Sequence, residues 1–80
     1  MAQVRSPAHL AYGRALRQHR TSRGISQERL AHLSNLDRTY VSGIERGERN
    51  PSLTNILKLA DALSLRVSEL AATAETLMEE

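Results

Sequence analysis

Just after Asp37 the chain places side chains that can bond to the edges of nucleic-acid bases. If Asp37 caps a helix, Arg38 and Thr39 are its first exposed positions, and Ser42, with Gly43 beside it, is the next outward position one turn on. Arg38 can donate two parallel hydrogen bonds to O6 and N7 of guanine, a pairing worth about 1–3 kcal/mol of discrimination. Thr39 offers a hydroxyl and a methyl group that can pack on thymine. Tyr40, on the flank, can stack along a nucleic-acid backbone or bond to a phosphate. Gln27 can donate to a phosphate at the start of a preceding helix, assisted by the free N–H groups there. The alternative for Arg38 is a salt bridge to Asp37 or a phosphate contact that carries no sequence information.

These groups need rigid elements to aim them. Ala and Leu recur at spacings of three and four, aromatics are nearly absent and no strand pattern stands out, so the reading is all-α. Pro7 suits a first helical turn, and a first helix from about Ala8 to Arg23 carries Tyr12, Leu16, His19 and Arg20 on one face. Gly24 ends it. Ser26 caps a second helix to about Leu33, with Ile25 and Leu30 at the spacing of a hydrophobic staple. Ser34-Asn35-Leu36 is the turn, with Asn35 tolerant of positive φ, and a third helix runs to about Arg46, where Gly47 closes it. Ser52 caps a fourth helix from Leu53 to Leu63, and a fifth starts near Val67, with Leu70, Ala74 and Leu77 able to extend it as an apolar stripe. Leu16, Leu30, Ala31, Leu33, Leu36, Val41, Ile44, Ile56, Leu59, Ala60 and Leu63 are the expected core. Glu45 falls on the inner side of the third helix, where a carboxylate needs a partner.

The segment Ser26 to Asn50, with Ile25 before it and Pro51-Ser52-Leu53 after, resembles the helix-turn-helix of the Cro and phage-repressor (XRE) family, and within it the small controller proteins of restriction-modification systems. The resemblance covers residues 12 to 72. It implies a five-helix, lambda-repressor-like domain, leaves residues 1–7 as a flexible tail, and makes 8–80 a single domain. It also implies that Arg46, Arg49, Asn50 and Ser52 touch the DNA backbone, and that Glu45 pairs with Arg20, the Arg four residues before the Gly that ends the first helix. Two departures stand out: Ser64 where relatives place Gly after the fourth helix, and Arg66 where they place Ser or Asp ahead of the fifth. Both cost local stability.

Composition narrows the function classes. An 80-residue chain buries only about 60% of its unfolded surface, so the core is thin and dimerisation is favoured, with Leu65, Val67, Leu70 and Ala71 among the expected contacts. The net charge of +2 divides unevenly, +5 over residues 1–49 and −3 over residues 50–80. The first half can thus face phosphates, with Arg17 and Arg23 adding longer-range attraction, although a solvated, salt-bridged surface accounts for the asymmetry equally. Ten of the eleven cations are Arg, which suits bidentate contacts. No cysteine is present, so disulfides and thiolate metal sites are excluded.

His9, His19 and His32 are scattered without ligand spacing, and Gly13, Gly24, Gly43 and Gly47 are isolated rather than gathered in a phosphate loop. No enzyme, cofactor or metal is expected, and neither a signal core nor a membrane-length apolar run is visible. The expectation is a cytoplasmic homodimer, associated with the bacterial nucleoid through double-stranded DNA, that reads a pseudo-palindromic operator. The rival is an antitoxin that also grips a toxin protein, with the acidic residues from Glu75 to Glu80 as its arm.

Overall fold

The first four helices of this chain start where an oxygen-bearing side chain can satisfy free backbone N–H groups. In a computed structural model, which describes residues 6–80, Ser6 accepts from His9 N (3.2 Å), Ser26 from Arg29 N (3.0 Å), Asp37 from Thr39 N (2.9 Å) and Ser52 from Asn55 N (3.2 Å). The helices they open are α1 (Pro7–Ser22), α2 (Gln27–Ser34), α3 (Arg38–Glu45) and α4 (Leu53–Ala62), followed by α5 (Val67–Glu79). No strand occurs among the described residues. The expected tail of residues 1–7 is shortened at its inner end, because Ser6 caps α1 and Pro7 is its first residue; residues 1–5 lie outside the described residues. The second helix runs one residue past Leu33, with the Ser34 hydroxyl bonded to the Leu30 carbonyl at 2.7 Å.

Residues that tolerate a left-handed backbone end the first three helices: Gly24 (φ 69°), Asn35 (φ 57°) and Gly47 (φ 75°). After α4 the same conformation falls on Ser64 (φ 55°), whose Cβ makes it costly. Arg66 then precedes α5 with no side-chain cap, and only the reciprocal half of a capping box forms, Glu69 Oε1 accepting from Arg66 N at 2.8 Å.

The core draws on every helix. Leu16, Leu30, Val41, Ile44, Leu59, Leu63 and Leu70 are its largest buried side chains, and Leu70, Ala74 and Leu77 bury the inner stripe of α5. α1 packs on α5 and α3, α2 packs on α3 and α4, and α4 touches α5. Ala11 and Ala15 of α1, which are not among the expected core residues, are also buried. Leu33, which it placed there, is 45% exposed, because Leu30, Ala31 and Ser34 form the inner face of α2 and leave Leu33 on its outer flank. Leu36 and Ile56 are only partly buried.

Gly13 marks a close approach of two helices. A Cβ there would sit 2.7 Å from the Glu45 carbonyl oxygen and would also strike that of Ile44, so α1 crosses directly over the end of α3. Because the obstruction is backbone, Gly13→Ala should destabilise by about 1–3 kcal/mol or more, read as a lower midpoint in urea unfolding. Ser64→Gly relieves the left-handed strain at some cost in unfolded-chain entropy, a net gain of about 0.5–1 kcal/mol. Arg66→Asp supplies the missing cap, worth about 1 kcal/mol. Each should raise the thermal midpoint by several degrees, and a fall for Ser64→Gly would refute the strain account.

Candidate nucleic-acid interface

α2 and α3 are eight residues each and are joined by Asn35, Leu36 and Asp37. Helices this short are marginal alone, so their relative angle must come from tertiary contacts. The shared core of Leu30, Ala31, Val41 and Ile44 supplies them, and one buried ion pair ties α1 to the end of α3. Arg20, from the last turn of α1, donates from Nε to Glu45 Oε2 at 2.6 Å and from Nη2 to Glu45 Oε1 at 2.9 Å, a two-point contact. Arg20 Nη1 donates to the Ile25 carbonyl at 2.9 Å, and Gln27 Nε2 donates to Glu45 Oε1 at 3.0 Å. Both charged residues are less than a tenth exposed. The Arg20 pKa is raised, chiefly by its hydrogen bond to Glu45 and further by that residue's charge, against the opposing effect of burial, so the guanidinium stays charged.

With α3 held from behind, its front is open. Arg38 and Thr39 are exposed at its first turn, and Ser42 is half-exposed one turn on. Gly43 differs: it is buried, and the Arg49 stem lies across it, with Arg49 Cγ 2.7 Å from where a Cβ would stand. The expectation that Gly43 meets a base edge is therefore corrected to a seat for Arg49. Tyr40 is half-buried, and its hydroxyl accepts from Asn55 Nδ2 at 3.0 Å, which leaves its own proton to donate. Asn55 was missed in the sequence, where nothing local joins it to a residue fifteen positions earlier.

The residues named for the DNA backbone fall into two sets. Arg49, Asn50 and Ser52 are exposed along the loop from α3 to α4. Gln27 is half-buried, with its amide turned to Glu45, and Arg46 donates to Ser42 Oγ and to Glu48. Among the residues named for a dimer, Ala71 is exposed and Leu65 and Val67 are partly buried. Leu70 is wholly buried in the core of its own protomer, so it is removed from the contact set; the inward stripe of α5 passes through it. No group of three or more His, Cys, Asp or Glu able to hold a metal occurs among the described residues. No described helix is long and apolar enough to cross a membrane.

A compact all-α domain whose second and third helices are joined by a tight turn, with polar side chains open at the head of the third, defines the helix-turn-helix class. The chain belongs to the helix-turn-helix family HTH_3, which matches residues 16–70. It is 48% identical over 62 residues to the control protein C.BamHI of Bacillus amyloliquefaciens, covering 76% of each chain. Its fold matches the crystal structure of the restriction-modification controller protein C.AhdI of Aeromonas hydrophila with TM-score 0.75 and 59% identity, over 76% of this chain and 92% of that one. The restriction-modification controller C.Esp1396I, solved as a tetramer in complex with its natural 35 base-pair operator, matches with TM-score 0.87 and 29% identity over 94% of this chain and 99% of that one.

Removing one partner of the buried pair leaves an uncompensated charge. Arg20→Met should therefore lower the unfolding free energy by about 3–5 kcal/mol, and the double variant Arg20→Met, Glu45→Met should recover most of that loss. A double-mutant cycle by urea unfolding checks it: additive losses would mean the two residues are not coupled.

Proposed function

We propose that the chain is a sequence-specific, double-stranded-DNA-binding transcriptional regulator that acts as a homodimer on a pseudo-palindromic operator and controls the genes of a restriction-modification system. The observation that carries this reading is the exposed pair Arg38 and Thr39 at the head of an α3 whose angle is locked by Arg20 and Glu45. The control proteins among its relatives supply the biological setting. The named relatives give no support to the antitoxin reading.

In this reading Arg38 takes a guanine, Thr39 packs on a thymine methyl, and Ser42 adds a hydroxyl at the groove floor. Arg49, Asn50 and Ser52, with Tyr40 and the N-terminus of α2 at Gln27, fix the register on phosphates. Leu65, Val67 and Ala71 join two protomers, so that two α3 helices stand about 34–36 Å apart, one turn of duplex. The protein works without catalysis or cofactor in the bacterial cytoplasm, as a regulator whose occupancy follows its own concentration through dimerisation.

Selection of bound sequences from a random duplex pool at two salt concentrations tests this directly. A palindrome with guanine at symmetric positions is expected, and salt-sensitive binding with no enriched sequence would overturn the reading. Arg38→Ala should lower operator affinity by about 10- to 100-fold and hardly alter binding to random DNA. Arg49→Gln should weaken both and reduce the salt slope by about 1. Equal losses on both DNAs for Arg38→Ala would remove it from base reading.

A further inference from the structure

Arg46 is engaged at both ends of its guanidinium. Nη1 donates to the Ser42 hydroxyl one turn earlier on α3, while Nε and Nη2 both reach Glu48 Oε1, each at 3.1 Å. The Glu48 backbone is itself anchored, its N–H donating to the Gly43 carbonyl at 2.9 Å. Its side chain is 20% exposed against 52% for Arg46, so the carboxylate is the more sheltered partner. A carboxylate at the edge of a phosphate-binding surface works against the electrostatic attraction that supplies most non-specific affinity. Its placement beside Arg46 therefore changes what that arginine can do.

We propose that Glu48 is a specificity-determining positioning residue: it holds Arg46 as a strut against Ser42, giving up one arginine's attraction for phosphate in exchange for a fixed, groove-facing hydroxyl. The inference rests on the DNA-reading function above. With an Arg46 N–H donated into Ser42 Oγ, one of the hydroxyl's two lone pairs is occupied and its proton is left to donate, which biases Ser42 toward acceptors such as guanine O6 and N7 or thymine O4. Arg46 thereby leaves the set of phosphate ligands, and its loss affects discrimination more than overall attraction. The Gly43 seat beneath Arg49 completes the division, since Arg49, whose guanidinium no described ion pair engages, remains the loop's contact to the backbone.

The test is Glu48→Gln, measured on the selected operator and on random duplex across a salt series, beside the same change made in an Arg46→Gln background. Releasing Arg46 to a phosphate should steepen the salt slope by about 0.9 and tighten random-duplex binding about eightfold at 0.1 M salt. Operator binding should tighten less, so the ratio of operator to random affinity falls several-fold. In the Arg46→Gln background, Glu48→Gln should leave slope and ratio close to those of Arg46→Gln alone. An unchanged slope and ratio would overturn the strut, as would an equal shift in both backgrounds, which would mean that removal of the Glu48 charge alone is responsible. Thermal midpoints within a few degrees of the parent chain confirm that each variant is folded. If the unmodified chain enriches no sequence from the pool, the DNA-reading function fails by itself, and that outcome is separate from any effect of Glu48.

Discussion

The end of α3 is the point on which the rest of the molecule depends, and the Arg20–Glu45 pair is what holds it. Glu45 accepts from α1 through Arg20 and from the start of α2 through Gln27, while Arg20 also reaches the Ile25 carbonyl in the loop between those helices. Gly13, seven residues before Arg20 and so on the same face of α1, lets that helix lie against the Glu45 carbonyl from the other side. Three elements thus meet at one residue, and a recognition helix too short to be stable alone acquires a fixed orientation. A hydrophobic contact is non-directional and would allow α3 to rotate or slide; a two-point guanidinium–carboxylate contact specifies both angle and register. Such a pair need not add much net stability, since desolvation offsets most of the Coulombic gain, but it does define one geometry.

The front of α3 is organised by a second set of contacts that are exposed or only partly buried. Asn55 on α4 holds the Tyr40 hydroxyl, Glu48 and Ser42 hold Arg46, and Arg49 lies over Gly43. Exposed ion pairs contribute little to stability. These contacts narrow the conformations of long side chains, and a side chain already ordered costs less to fix when a partner binds. The buried support behind the helix and the more exposed contacts in front of it thus involve two different parts of α3.

Local chemistry made much of this legible. Ser26, Asp37 and Ser52 announce helix starts because a short oxygen-bearing side chain is the cheapest way to satisfy free N–H groups, and Gly24, Asn35 and Gly47 announce ends because the left-handed backbone excludes most other residues. Ser64 and Arg66 stood out as departures from the pattern of the family, and the structure has Ser64 at positive φ and Arg66 without a side-chain cap. The failures came where one-dimensional pattern meets a three-dimensional neighbour. Leu33 has the spacing of a core residue yet lies on the flank of α2, Leu70 has the hydrophobicity of an interface residue yet fills the protomer's own core, and Gly43 has an outward register yet is roofed by Arg49.

The sequence by itself determined the helices, their caps, the tight turn between α2 and α3, and the concentration of hydrogen-bonding side chains at the head of α3, because each of these is set by interactions spanning at most a few residues. Tertiary structure alone decided that α1 crosses the end of α3 at a glycine, that Asn55 holds Tyr40, and that Gln27 turns to Glu45. The physical reason is that these contacts join residues 15 to 32 positions apart, and their existence depends on helix crossing angles that no local periodicity encodes.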